Sequence, residues 1–358
     1  MFFVIKILLL RSHVQTMIQD KKHIPIYKKL LNSYMYDIYS GKYLPGQQID
    51  SINKIINKHN VSRETAKIVL KQLANAGLIV QILGKGSFVR IEEKTNDKWG
   101  VILPLYSPNM EQLVEELQSF ASRKKKELEY YLHYNNPDEE MRLVSSLIQK
   151  GYDSLFIIPN FNEALTANYY NRLQRGNTKI FLVDNTMAGS AFNYVIQSYD
   201  LGVKRAAEYL ASRNNGNFLF VKDPAWSGVN MVEESMLSTF IHYGEILYKR
   251  KVFSTDNHKE ITPEFITKYN IGGILCYKDV DSIKILRKLT VWNIKVPEEI
   301  SIVNYGNTEL IELFDPGITA IDCCYKEMAR ILEVMYQRKA DDKMDQHVIL
   351  PKLIIRKS

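Results

Sequence analysis

Residues Val61–Leu83 read VSRETAKIVLKQLANAGLIVQIL and are followed directly by GKGSFV at Gly84–Val89. Ser62 is a favourable N-cap, and the apolar side chains after it recur at the spacing of one helix face, at Ala66, Val69, Leu70 and Leu73. Gly77 ends this helix, and the glycine-lysine turn then joins two short apolar runs. The stretch therefore predicts a helix followed by a β-hairpin with a basic tip.

Two further helical patterns precede this stretch, at Ile24–Ser40 and Ser51–His59. Three helices and a hairpin form a winged helix-turn-helix, in which the last helix fits the major groove of DNA. The hairpin tip of such a unit reaches a neighbouring backbone or minor groove. We predict a DNA-binding domain of this kind at residues 21–91, after an N-terminal tail at residues 1–20.

The whole segment resembles the DNA-binding domain of GntR-type bacterial regulators, with IPIY at its start, KYLPG, VSRET, LANAGLI and GKGSFV in the family's order. The resemblance covers about 65 residues. It departs from the family at Ile52-Asn53, where Glu-Arg is common. It implies that the residues facing DNA are Ser51, Ser62, Arg63, Thr65 and Lys67, with the wing tip formed by Gly84, Lys85 and Gly86.

The charge distribution agrees with a polyanionic partner. The chain of 358 residues has a net charge of +7, and residues 21–91 contain 12 Lys and Arg against 3 Asp and Glu. Basic residues concentrated in one segment provide the electrostatic part of DNA binding, although a solvated lysine-rich surface is the alternative interpretation.

The remaining composition predicts a cytoplasmic protein. Phe2–Leu10 is apolar but too short to span a bilayer, and we expect translation to begin at Met17. Cys276, Cys323 and Cys324 have no metal-binding spacing, and we expect them to be buried as small apolar residues. The length suits two or three domains.

After a polar linker at residues 92–98, strand and helix patterns alternate through residues 99–358. Such alternation predicts parallel sheets with ligands at the carboxyl ends of the strands, and the number of strands exceeds one sheet. Pattern and length therefore predict an α/β region built as two lobes that face a cleft.

Several motifs in this region resemble LacI-type effector domains. They are YDLGVKRAAEYL at Tyr199–Leu210, KVPEEISIVNYGN at Lys295–Asn307 and the closing strand LPKLIIRKS at Leu350–Ser358. The resemblance implies the fold of periplasmic sugar-binding proteins. The predicted fold class is therefore α/β, an N-terminal winged helix-turn-helix followed by a two-lobed, periplasmic-binding-protein-like effector and dimerisation domain. A GntR-type head on such a body is an architecture like that of arabinose repressors.

In that fold the ligand contacts loops that follow the strands. The matching positions here are Tyr106, Ser107, Asn160, Asp184, Trp226, Lys278, Asp279 and Asn307. The Arg that the family uses would fall near Val232-Glu233 and is absent. We predict a neutral monosaccharide as the effector, with a sugar phosphate held by Lys278 as the alternative.

Catalytic and metal-binding motifs are missing from the sequence: GxSxG, HExxH and a phosphate-binding glycine loop do not occur, and the seven histidines are scattered. We therefore predict no enzyme activity, no cofactor and no metal. The expected protein is a homodimeric repressor of sugar-utilisation genes that a monosaccharide releases from its DNA operator, with no membrane association. A sugar receptor whose head serves only oligomerisation, or a sugar-acting enzyme, remains as an alternative.

Overall fold

The computed structural model describes residues 25–39, 41–90, 97–160, 166–173, 176–186, 191–223, 230–314, 317–338 and 344–358. The chain divides into two compact units, Met1–Glu93 and Lys94–Ser358. The predicted tail, with its start at Met17, lies outside the described residues, and so does the linker up to residue 96. At the other end of that linker, Lys98 already belongs to the first strand of the second unit.

Within its described residues, the first unit contains three helices and an antiparallel hairpin. The elements are α1 (Ile26–Tyr39), α2 (Ile52–His59), α3 (Arg63–Asn75), β1 (Ile79–Ile82) and β2 (Gly86–Val89). The N-caps form as the sequence predicts, because the Ser51 side chain accepts a hydrogen bond from the Lys54 amide (3.3 Å) and that of Ser62 from the Thr65 amide (3.1 Å). Ala66, Val69, Leu70 and Leu73 are all buried, so the apolar face of α3 forms part of the core.

The second unit contains two six-stranded sheets. The sheet of the first lobe has the order β13-β7-β6-β5-β3-β4, with β3 (Lys98–Leu103), β4 (Glu127–Leu132), β5 (Ser154–Ile157), β6 (Lys179–Asp184), β7 (Asn193–Gln197) and β13 (Gln346–Ile349). The sheet of the second lobe has the order β14-β12-β11-β10-β8-β9, with β8 (Asn217–Val221), β9 (Val252–Thr255), β10 (Ile271–Cys276), β11 (Ser301–Tyr305), β12 (Thr319–Asp322) and β14 (Lys352–Ile354).

Helices cover these sheets. In chain order they are α4 (Pro108–Arg123), α5 (Pro137–Gln149), α6 (Ala167–Arg172), α7 (Tyr199–Arg213), α8 (Met231–Ile241), α9 (Pro263–Tyr269), α10 (Asp279–Val291), α11 (Glu309–Glu312) and α12 (Tyr325–Gln337). A π-helical turn at His242–Leu247 extends α8, and a 3-10 turn lies at His258–Glu260. The prediction of a two-lobed α/β fold is confirmed.

The chain passes between the lobes three times, after β7, after β12 and after β13. The closing stretch Leu350–Ser358 contains a strand, as predicted, namely β14. Pro351 separates β13 of the first lobe from β14 of the second, and β14 pairs antiparallel with β12. Proline has no backbone N–H to donate to a sheet, which suits it to the point where one strand ends and another begins.

His133 lies at the end of β4 and is fully buried. Its Nε2 is 3.0 Å from the Ile158 carbonyl oxygen, whereas Nδ1 has no hydrogen-bond partner among the described residues. Burial lowers the pKa of the imidazole below its ordinary value, although the charge of Glu140 opposes that shift. The folded protein therefore holds His133 neutral.

We expect this histidine to make the protein sensitive to acid. The pKa of His133 is lower in the folded chain than its ordinary value of about 6.5 in the unfolded chain, so the stability linked to the neutral imidazole is present above pH 6.5 and is lost as pH falls. Urea unfolding at pH 7.5 and pH 5.5 measures the effect. His133→Gln should show a smaller loss of midpoint on acidification than the unmodified protein, and an equal loss in both would contradict the assignment.

Candidate functional site

A cavity of about 500 Å³ lies between the two lobes of the second unit, close to where the chain passes from one lobe to the other. This volume is in the range of small-molecule sites. Its lining combines aromatic rings with carboxylates. The tyrosines are Tyr106, Tyr199, Tyr277, Tyr305 and Tyr325, and the carboxylates are Asp184, Asp223, Asp279 and Asp281.

Asp184 is the last residue of β6 and is 2% exposed. Its carboxylate accepts hydrogen bonds from Gln197 Nε2 at 2.5 Å and from the Tyr199 hydroxyl at 2.7 Å, and a third from Tyr325. Burial raises the pKa of this carboxyl above its usual value, and these three bonds only partly offset the shift. Its backbone φ is +65°, a strained conformation for a non-glycine residue, which fixes the side chain at the end of the strand.

Lys278 and Asp279 lie at the start of α10 in the second lobe, and both line the cavity. The Asp279 carboxylate accepts hydrogen bonds from Asn304 and Thr308, and burial raises its pKa. The Lys278 ammonium is 2.5 Å from the buried carboxylate of Asp223. Lys278 is therefore an ion-pair partner within the lobe.

Tyr106 and Ser107 also line the cavity, as predicted. Ser107 is the N-cap of α4, and its side chain accepts a hydrogen bond from the Met110 amide at 3.4 Å. Tyr106 is largely exposed, and its ring lies 5.5 Å from that of Tyr130. Tyr106 can thus offer a ring face at the cavity rim.

Two predicted residues do not line the cavity. Asn160 is buried against Glu140 and Thr166, with its Nδ2 2.8 Å and 3.0 Å from their side-chain oxygens. Asn307 accepts a hydrogen bond from Arg356 at 2.8 Å. Both amides have partners within their own lobe, which the sequence could not show. Trp226 lies outside the described residues.

Sequence reasoning missed several cavity residues, notably Gln197, Tyr199, Tyr277, Tyr305 and Asp223. Gln197 joins the lobes, because its Oε1 accepts a hydrogen bond from the Tyr305 hydroxyl at 3.1 Å while its Nε2 donates to Asp184. Each of these residues stands at or just after the end of a strand. That position is a signal that the sequence pattern offers.

The first unit presents its predicted DNA-facing residues on α3 and on the hairpin. Arg63 is exposed in the first turn of α3, and Lys67 forms an ion pair with Glu64 at 2.8 Å. The Ser62 and Thr65 hydroxyls are 2.9 Å apart. Ser51 caps α2 in the same way that Ser62 caps α3.

The hairpin tip depends on its glycines. Gly84 and Gly86 have φ of +73° and +114°, which favour glycine strongly. A Cβ on Gly86 would lie 2.5 Å from Gln48 Nε2, the same atom that donates a hydrogen bond to the Lys85 carbonyl at 2.8 Å. The hairpin tip is thus held against Gln48, in the segment between α1 and α2, and the Lys85 side chain is exposed.

A buried carboxylate supports α2. Asp50 is 3% exposed and accepts contacts from Lys54 at 2.7 Å, Lys58 at 2.9 Å and the Tyr34 hydroxyl at 2.8 Å. Burial alone would raise the pKa of Asp50, but its hydrogen bonds, from Lys54 and Lys58 first, lower that pKa well below the usual value. The stability that ionised Asp50 contributes to the fold is present above about pH 4 and is lost as pH falls further.

We expect Asp50→Asn to destabilise the first unit by roughly 2 kcal/mol, because charge-assisted hydrogen bonds are lost at a buried position. Differential scanning calorimetry of the full chain would show it as a lower transition temperature. Glu64→Gln is the matched control, since its ion pair with Lys67 is exposed and such pairs contribute little. Equal transition temperatures in the two variants would contradict this account of Asp50.

The described residues contain no group of three or more His, Cys, Asp or Glu side chains placed to hold a metal ion. Nor do they include a helix long and apolar enough to cross a membrane. The three cysteines are free and buried, which confirms their predicted role as buried residues.

Comparison with known proteins agrees with this structure. The family described as periplasmic binding protein-like domain matches residues 228–358. A solved structure of a LacI family transcriptional regulator from Enterococcus faecium, with bound ribose, superposes with a TM-score of 0.59 at 15% identity and covers 73% of this chain and 98% of that chain.

The sequence is similar to two proteins named arabinose metabolism transcriptional repressor. The one from Halalkalibacterium halodurans is 24% identical, over 90% of this chain and 93% of its own length. The one from Geobacillus stearothermophilus is 21% identical, over 94% of this chain and 98% of its own length. These relatives are regulators rather than enzymes, so the predictions of a transcriptional regulator and of a protein that is not an enzyme are confirmed. The chain is a relative of transcriptional repressors and carries the two-lobed α/β fold of periplasmic binding proteins.

Proposed function

We propose that the protein is a cytoplasmic repressor of sugar-utilisation genes. Residues 21–91 act as a GntR-type winged helix-turn-helix that binds an operator, and residues 99–358 act as an effector and dimerisation domain that binds a monosaccharide. The observation that carries the proposal is the first unit, in which a capped helix with an exposed polar face is followed by a hairpin whose turn contains glycines with positive φ. The comparisons with named repressors support it.

Operator binding follows from the surface of that unit. Arg63 and Thr65 lie in the first turns of α3, where a recognition helix contacts base edges. Ser51, Ser62 and Lys67 lie on or beside the same helices and suit phosphate contacts, as do Gly84, Lys85 and Gly86 at the tip. Residues 21–91, with 12 Lys and Arg against 3 Asp and Glu, have a net charge of +9, whereas the whole chain has +7, so binding should weaken steeply with salt.

Effector binding is assigned to the cavity between the lobes. Tyr106, Ser107, Asp184, Lys278 and Asp279 line it and supply ring faces and hydrogen-bonding groups. Arabinose and ribose are the first ligands to test, because the relatives and the solved structure carry those names. A sugar phosphate finds less support, since the one cation expected to hold it, Lys278, already pairs with Asp223.

Ligand and DNA are linked through the homodimer that we propose. Two heads bind a palindromic operator with two half-sites, and ligand binding moves one lobe against the other and changes how the heads are presented. Shifting such an equilibrium from 1:99 to 99:1 requires about 5.5 kcal/mol of differential binding energy. The bond between Tyr305 of the second lobe and Gln197 is one contact that lobe movement would change.

Fluorescence anisotropy tests the proposal directly. Purified full-length protein is titrated onto DNA from upstream of its own gene at two salt concentrations, with and without arabinose, ribose and other neutral monosaccharides. Amino sugars are included in the panel beside the neutral sugars. We expect salt-sensitive binding that one monosaccharide of the panel abolishes. Absence of binding at low salt would overturn the repressor assignment and favour a sugar receptor.

A further inference from the structure

Two of the carboxylates that line the cavity accept hydrogen bonds only from neutral groups among the described residues. Asp184 is bonded to Gln197, Tyr199 and Tyr325, and Asp279 is bonded to Asn304 and Thr308. The other two cavity carboxylates have cationic neighbours. Asp223 pairs with Lys278 at 2.5 Å, and Asp281 lies 3.9 Å from Lys284. Asp184 and Asp279 therefore lack a charged partner within the described part of the chain.

Burial makes the charged forms of Asp184 and Asp279 unfavourable unless a cation binds beside them. Asp184 is 2% exposed and Asp279 is 7% exposed. A carboxylate removed from water loses solvation that neutral hydrogen-bond donors replace only in part, and a cation would compensate it. The raised pKa of each carboxyl has the same cause.

The two carboxylates come from opposite lobes but share one neighbourhood. Asp184 ends a strand of the first lobe, and Asp279 begins a helix of the second. Both carboxylates line the cavity between the lobes, so a ligand in that cavity contacts side chains of both lobes.

Aromatic rings complete the site. Tyr199 and Tyr305 are stacked with ring centroids 5.8 Å apart and planes inclined by 20°, and Tyr277 and Tyr325 line the same cavity. Electron-rich ring faces attract cations, most strongly where water is excluded. Carboxylates among tyrosine rings form an environment that selects an ammonium group over a phosphate or carboxylate.

We propose that the effector is a polyhydroxylated amine, such as an amino sugar, whose ammonium group is attracted by the carboxylates of Asp184 and Asp279 among the cavity tyrosines. The inference rests on the proposed function in one respect, that this cavity is the effector site. It differs from a neutral monosaccharide in requiring a positive charge on the ligand. The hydroxyl groups of the ligand would bond to the remaining polar groups of the cavity.

Isothermal titration calorimetry on the full-length protein tests the charge requirement with matched ligand pairs. The pairs are glucosamine and glucose, galactosamine and galactose, and glucamine and sorbitol, together with arabinose and ribose. We expect at least one amine to bind about tenfold or more tightly than its hydroxyl parent, because an ammonium adds to the hydrogen bond a Coulombic attraction to a buried carboxylate that a neutral hydroxyl lacks. Equal or tighter binding of the neutral parents, or no binding by any amine, would overturn the proposal.

Substitutions at Asp184 and Asp279 test whether these carboxylates recognise the ammonium group of the ligand. Asp184→Asn and Asp279→Asn keep the side-chain shape and should abolish the preference for the amine. Glu208→Gln removes one negative charge from an ion pair with Lys204 that lies outside the cavity lining, and it should leave the preference unchanged. Circular dichroism confirms that each variant is folded. An amine preference that survives in both aspartate variants would contradict the site.

The two proposals can fail separately. Salt-sensitive DNA binding that a neutral sugar abolishes would retain the repressor and reject the amine. Tight amine binding by a protein that binds no DNA would retain the site and reject the repressor.

Discussion

Replacing Arg63 with alanine should weaken operator binding about tenfold to a hundredfold, since a side chain that bonds a base bidentately contributes roughly 1–3 kcal/mol of discrimination. Arg63 occupies the first position of α3 and is exposed, and no ion pair holds it among the described residues. Its guanidinium can therefore turn toward a guanine without breaking a contact. The same substitution should relax sequence preference at one operator position.

Anisotropy titrations on the operator and on a set of single-base variants measure both effects. Lys42→Ala is the matched control, because it removes one positive charge from the same unit at a lysine already paired with Asp37 at 2.7 Å. We expect Lys42→Ala to change affinity only slightly and equally across all sequences. If Arg63→Ala behaves in the same way, Arg63 does not read the operator and contributes only through its charge.

Replacing Trp99 with alanine should destabilise the second unit by about 3–5 kcal/mol, the usual cost of removing a large aromatic side chain from a core. Trp99 is fully buried at the start of β3. Its ring lies 4.8 Å from those of Phe120 and Tyr336, and its Nε1 donates a hydrogen bond to Asp153 at 2.9 Å. The substitution would leave a cavity among these rings and a carboxylate with one donor fewer.

Urea unfolding followed by circular dichroism gives the free energy change. Trp292→Ala is the matched control: the same change at a half-buried tryptophan that packs at the margin of its core should cost less. Equal losses in the two variants would show that Trp99 is not the central packing residue of the first lobe. DNA binding by the folded fraction of Trp99→Ala should be retained, because the substitution lies outside the head.

The sequence determined the local features of this protein. Ser51 and Ser62 cap the helices that their positions predict, and the apolar spacing of α3 correctly predicts which side chains enter the core. Asp184, Lys278 and Asp279 are predicted for the cavity by the resemblance to LacI-type effector domains, whose ligands contact the loops after the strands, and all three line it. Capping, periodicity and strand-end position depend on residues a few places apart, so one sequence suffices to predict them.

Tertiary structure decided which of the chosen groups are available to a ligand. Asn160 forms a hydrogen bond with Glu140, and Asn307 forms one with Arg356. Lys278 forms an ion pair with Asp223. Each pair joins segments at least 20 residues apart. The cavity itself exists only because the chain passes between the lobes three times, which brings Gln197, Tyr305 and Tyr325 together. Partners this distant are selected by the packing of whole sheets and helices. A residue's own neighbours in sequence do not reveal whether its polar group is already satisfied.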